Sequence, residues 1–128
     1  MSHSSHTLRS ILLAGAAGFA AAALLVPAAP ASATNTTTTA IGNYASGVGV
    51  SGSSLGYDAD ATGNYTTSIG AYSDASSSYA TSLGYDADSF GTYSTTVGAY
   101  SFANAEGGVA LGYSAAAGNV GSISVGRS

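Results

Sequence analysis

The sequence predicts an all-β fold: a parallel β-roll, or β-solenoid, made of fourteen-residue coils with two short strands each. Three observations carry this. An aliphatic residue followed by glycine recurs seven times, as Ile41-Gly42, Leu55-Gly56, Ile69-Gly70, Leu83-Gly84, Val97-Gly98, Leu111-Gly112 and Val125-Gly126, always fourteen residues apart. A strict short period marks one supersecondary unit stacked on copies of itself. Between these pairs small residues alternate with larger ones, and stretches of ten residues free of glycine and β-branched side chains are scarce after Ala33, which argues against helix.

Numbering the aliphatic residue as slot one and the glycine as slot two places small residues at slots five and seven, as in Ala59 and Ala61, Ser73 and Ala75, or Ala115 and Ala117. Slot nine is often glycine (Gly49, Gly63, Gly91). Alternation over slots five, seven and nine is a period of two, the mark of a strand with one face inward. Slots twelve to two form a second strand, with hydroxylated, small or β-branched residues such as Thr66-Thr67-Ser68 and Ser94-Thr95-Thr96 leading into slot one. Its inward column is expected to be slot one, with slot thirteen on the same side. Ile41, Leu55, Ile69, Leu83, Val97, Leu111 and Val125 are therefore the expected core ladder. Glycines and polar residues between the strands supply turns. Coils stacked at about 4.8 Å make a rod. Hexapeptide and nonapeptide solenoids do not fit, since fourteen is a multiple of neither period.

Each coil offers one large aliphatic plus alanines, so the interior is thin. Ordering a residue costs roughly 1–2 kcal/mol, while apolar burial returns about 25 cal/mol per Å². A single roll of this composition is marginal, and side-by-side association would bury a further face and shield strand edges. An oligomer is expected.

The chain divides at its N-terminal end. Residues 1–33 read as a secretory signal: Arg9, an apolar run from Ile11 to Val26, then Pro27, Pro30 and the small triplet Ala31-Ser32-Ala33, with cleavage expected after Ala33. Residues 34–40 form a polar leader and 41–128 the repeat domain. The expected location is extracellular or at a cell surface, with no membrane span after processing. Beyond Ala33 there is no His, Lys or Cys; the one basic residue is Arg127, against Asp58, Asp60, Asp74, Asp86, Asp88 and Glu106. Nothing is available to neutralise phosphates, which excludes nucleic acid as a partner. Disulfides and thiol chemistry are excluded as well.

The pattern Ala/Ser-Ile-Gly-x-x-Ala-x-Ala-x-Gly-x-x-Ser resembles the head repeat of YadA-like trimeric autotransporter adhesins. Ser68-Ile69-Gly70-Ala71-Tyr72-Ser73-Asp74-Ala75, Ser82-Leu83-Gly84-Tyr85-Asp86-Ala87 and Val109-Ala110-Leu111-Gly112-Tyr113-Ser114-Ala115 carry it best, and it covers about residues 40–128. The resemblance implies a left-handed roll, assembled as a tight homotrimer, that binds matrix or cell-surface ligands or other copies of itself. It extends to the head only. The neck, coiled-coil stalk and membrane barrel of those adhesins have no counterpart here, so a freestanding secreted head or a piece of something longer is expected. Where the family often has asparagine, slot eleven carries Tyr65, Tyr79 and Tyr93.

Tyr65, Tyr79 and Tyr93 should stack along the rod. Tyr44, Tyr72 and Tyr100 at slot four alternate with Tyr57, Tyr85 and Tyr113 at slot three, which predicts a zigzag ladder. Tyr57, Tyr72, Tyr85, Tyr100 and Tyr113 are the candidate contact surface, since large amphipathic rings suit protein or sugar contact. The same ladders also stabilise stacked strands without any ligand. Asp60, Asp74 and Asp88 share slot six; a solvated acidic edge fits better than a calcium site, because the spacing matches no recognised loop. Thr67, Thr81 and Thr95 make a column of the kind that can bind ice, but hydroxyls facing inward would not be displayed. No His or Lys is left to serve as a general base, and a thin roll has no cleft for a carboxylate pair. No catalytic, cofactor or metal site is expected. The leading expectation is a non-catalytic adhesin-head-like protein acting by surface contact. A self-assembling coat or fibre protein is the alternative, and an ice-binding protein a distant third.

Overall fold

The computed structural model describes residues 31–33 and 37–127. The signal segment lies outside the described residues except for its end, and so do residues 34–36 of the leader. Among the described residues there are fourteen strands and no helix. Seven form one sheet: β1 (Ser32–Ala33), β3 (Ser46–Gly47), β5 (Asp60–Ala61), β7 (Asp74–Ala75), β9 (Asp88–Ser89), β11 (Phe102–Ala103) and β13 (Ala116–Ala117). The other seven form the second sheet: β2 (Thr39–Ile41), β4 (Ser53–Leu55), β6 (Thr67–Ile69), β8 (Thr81–Leu83), β10 (Thr95–Val97), β12 (Val109–Leu111) and β14 (Ile123–Val125).

Each coil gives one strand to each sheet, and strands pair in parallel with the equivalent strand one repeat away. Thr81 pairs with Thr95 and Leu83 with Val97, as Asp74 pairs with Asp88. The fold is thus the β-solenoid that the period implies. Backbone bonds between coils continue through the turns, for example from Tyr72 N to Tyr57 O at 2.9 Å and from Gly98 N to Leu83 O at 2.8 Å. Ser32–Ala33 pair with Ser46–Gly47, so the last two residues of the expected signal occupy the first strand of one sheet.

The interior corrects one expectation. The inward columns are slots five, seven, twelve and fourteen: Ala59, Ala61, Ala75, Ala87, Ala103 and Ala110 are buried, with Ser68, Ser82, Ser94 and Thr96 among them. The expected core ladder of Ile41, Leu55, Ile69, Leu83, Val97, Leu111 and Val125 is in register but faces outward. Leu55 is 46% exposed and Leu83 42%, while Ile69 and Leu111 are half-buried. Slot thirteen also points outward, as the alternation of Thr67, Ser68 and Ile69 requires.

The reason is width. Strands of two and three residues face each other across a gap whose largest fully buried side chains are Thr66 and Thr96. A leucine column has no room there. Small hydroxyl side chains fit, and of the fully buried ones all but Ser54 and Ser94 find a partner: Thr66 Oγ1 donates to Gly63 O at 2.8 Å, Ser89 Oγ to Thr81 O at 2.7 Å and Ser101 Oγ to Gly98 O at 2.8 Å.

Candidate functional site

With small residues inside, everything large lies outside, and the roll presents four unlike surfaces. The turn leaving the second sheet carries the zigzag ladder. The chain reverses there with glycine at slot two and a left-handed residue at slot four. Gly84 has φ +146°, and a Cβ on it would stand 2.5 Å from Gly98 O of the next coil. The residue at slot four is left-handed in all six coils: Tyr44, Asp58, Tyr72, Asp86, Tyr100 and Ser114, with φ between 52° and 63°. The left-handed region costs an L-residue roughly 1–2 kcal/mol, and least for Asn, Asp and Gly. Aspartate is at home there, and tyrosine is strained.

Tyr44, Tyr57, Tyr72, Tyr85, Tyr100 and Tyr113 form one unbroken edge-to-face series, with ring centroids 5.4, 5.4, 5.7, 5.4 and 5.6 Å apart in turn. All five residues of the candidate contact surface belong to it, joined by Tyr44. The Arg127 guanidinium lies 5.5 Å from the Tyr113 ring centroid and covers the end of the series. Burial raises the Tyr57 and Tyr100 hydroxyls above the ordinary tyrosine range, with smaller contributions from neighbouring tyrosines and from Asp58 and Asp86 respectively.

The opposite turn carries Tyr65, Tyr79 and Tyr93, which also have positive φ (58°, 61° and 61°). Their rings stack nearly parallel, 5.2 and 5.0 Å apart with interplanar angles of 10° and 12°. The two ladders differ in what they offer. In one the rings lie face on face, whereas in the other each contact sets the edge of one ring against the face of the next, and the rings of both are about half exposed.

The two sheets differ as well. The outer face of the second sheet combines the aliphatic column with Thr67, Thr81 and Thr95, a mainly uncharged surface. The outer face of the first sheet carries Asp60, Asp74 and Asp88 in one column. Burial, then the adjacent charges of Asp60 and Asp88, push the Asp74 carboxyl up to about 6, although a hydrogen bond from Ser76 opposes the shift. Asp60 and Asp88 are raised for the same first cause, then by Asp58 and Asp86 respectively. Further along, Phe90 and Phe102 pack edge to face at 5.7 Å.

Among the described residues no group of three or more His, Cys, Asp or Glu side chains is arranged to hold a metal ion, and no pocket is present. No described helix is long and apolar enough to cross a membrane. No protein-family model matches the chain, and no curated protein matches it either.

Three features were missed in the sequence, and the first two had a signal. Slot fourteen is never large (Ala40, Ser54, Ser68, Ser82, Thr96, Ala110, Ser124), which marks it as the crowded inner column. The left-handed conformation at slot eleven is signalled by Gly107 and Gly121, which share that column with the tyrosines and also have positive φ. The Phe90–Phe102 contact joins slots eight and six of adjacent coils, a diagonal that a column-by-column reading passes over.

Proposed function

We propose that this chain is a secreted, adhesin-head-like protein that works by surface contact and performs no catalysis. Copies associate through the outer face of the second sheet, as the homotrimer that the resemblance to autotransporter heads implies. The observation that carries this is the outward aliphatic column, from Ile41 to Val125, repeated on every coil of an in-register sheet. Contiguous exposed apolar surface of this kind marks interaction sites. Association through it leaves the zigzag tyrosine edge, with Tyr57, Tyr72, Tyr85, Tyr100 and Tyr113, on the outside, available to a matrix or cell-surface ligand.

Light scattering tests the assembly, comparing the parent protein with Leu83→Asp, which places a charge at the centre of the proposed seam. A discrete trimer that falls to monomer in the variant supports the reading, as does adhesion of the parent protein to immobilised matrix proteins or cells. A parent protein that is monomeric and adheres to nothing overturns it. Growing filaments favour the coat or fibre reading instead. Because Thr67, Thr81 and Thr95 point outward, ice binding keeps one argument in its favour, and a monomer with thermal hysteresis would select it.

A further inference from the structure

The zigzag edge has a repeat of its own. Rings of one slot recur on every second coil: Tyr57, Tyr85 and Tyr113 at slot three, Tyr44, Tyr72 and Tyr100 at slot four. The residue beside each ring alternates in step. Coils with tyrosine at slot three carry Asp58, Asp86 or Ser114 at slot four; the others carry Asn43, Ala71 or Ala99 at slot three. Aromatic ring and polar neighbour therefore repeat every two coils, about 9.6 Å along the rod at the usual strand spacing.

We propose that this edge, from Tyr44 to Tyr113 with Asp58 and Asp86, binds a neutral, extended β-1,4-linked glycan lying along the rod axis. The proposal rests on the contact reading above and names its ligand class. In such a glycan successive sugars are turned over by half a rotation. The same sugar face recurs on every second unit, at a repeat slightly longer than two strand spacings. Ligand and edge are both linear and both alternate with a period of two units.

The chemistry matches. The C–H face of a pyranose lies against an aromatic face, and the tyrosine hydroxyls and exposed Asp58 and Asp86 carboxylates supply polar partners for sugar hydroxyls. With no pocket among the described residues, affinity has to come from many modest contacts along a chain. Charge selects within the class. Asp58 and Asp86 lie on the edge itself and Asp60, Asp74 and Asp88 on the adjoining sheet, so an acidic polysaccharide is repelled.

The test is calorimetric titration of the full chain with cello-hexaose and N-acetyl-chito-hexaose, with malto-hexaose, heparin and a collagen peptide as comparisons. Binding of a β-1,4-linked hexasaccharide in preference to the α-linked one and to heparin, tightening from disaccharide to hexasaccharide, supports the proposal. Tyr85→Ala should weaken it about tenfold, and Tyr85→Phe, which keeps the ring if the alanine variant fails to fold, should retain most of it. Tyr79→Ala, in the face-to-face stack on the opposite turn, which lacks the two-coil alternation, should leave affinity unchanged. Absence of binding to both β-1,4-linked hexasaccharides overturns the proposal, as does a preference for heparin or the collagen peptide, or an equal loss in Tyr79→Ala. If glycan binding fails while the trimer and cell adhesion persist, the contact reading stands with a different ligand.

Discussion

Asp74 stands between Asp60 and Asp88 on adjacent in-register strands, so three carboxylates share one column. One of its oxygens, Oδ1, is buried without a hydrogen-bond partner. Its carboxyl is pushed up to about 6, by burial first and the neighbouring charges second, from a reference value of 3.8. A raised carboxyl means that the folded chain holds its proton more tightly than the unfolded chain. The stabilisation is fully present below about pH 4 and is lost as pH rises through 6. The roll should therefore melt at a higher temperature at pH 4 than at pH 7, the reverse of ordinary acid denaturation. Asp74→Asn should flatten that dependence and stabilise the fold by about 1 kcal/mol at pH 7, a figure reduced because the group is partly exposed. Melting curves of both proteins across this range are the check. Gly84 makes a second residue-scale case. A methyl group there meets the carbonyl of Gly98, and φ is +146°, so Gly84→Ala should cost about 1–3 kcal/mol in chemical denaturation. Gly126→Ala carries the φ penalty alone, since no atom lies within 4 Å of its added Cβ, and should cost less.

At the scale of the element, the period made strand positions and pairing register legible, and both tyrosine series followed from their slots. Which face of the second strand turns inward was not legible from alternation. A period of two says that Ser68 opposes Thr67 and Ile69, but not which side is the interior. Hydrophobicity assigns Ile69 to the core, whereas the narrow gap between two very short strands admits Ser68 instead and satisfies its hydroxyl at Ser73 O, 2.8 Å away. Size and hydrogen bonding outweigh hydrophobicity here because a leucine could enter only by forcing the sheets apart. The turns show a comparable contest between backbone preference and side-chain contact. Tyr79 has φ 61° and stacks on both Tyr65 and Tyr93. Tyr79→Ala loses two ring contacts and keeps the strained backbone, for an expected loss of about 1–3 kcal/mol. Tyr79→Gly loses the same contacts but relieves the backbone, and should be more stable than the alanine variant by roughly 1 kcal/mol. Equal stability of the two would mean that the left-handed position carries no strain.

For the whole molecule, the outward aliphatic column changes where stability comes from. An interior of alanine, serine and threonine buries little apolar area per coil, so a single roll gains less from the hydrophobic effect than a domain with a leucine core. In the proposed assembly the column from Ile41 to Val125 supplies that missing area, which moves part of the core from within the roll to between rolls. Such a protein has a stability linked to its concentration, because association favours the folded state by mass action. The melting temperature should rise steadily as the protein is concentrated. In Leu83→Asp, with a carboxylate at the seam, it should be lower and independent of concentration, while the β-rich circular-dichroism spectrum at low temperature is kept, since residue 83 faces outward in the isolated roll. A concentration-independent melt of the parent protein would place all of the stability inside one roll. The aliphatic column would then have to be explained by a ligand other than the chain itself.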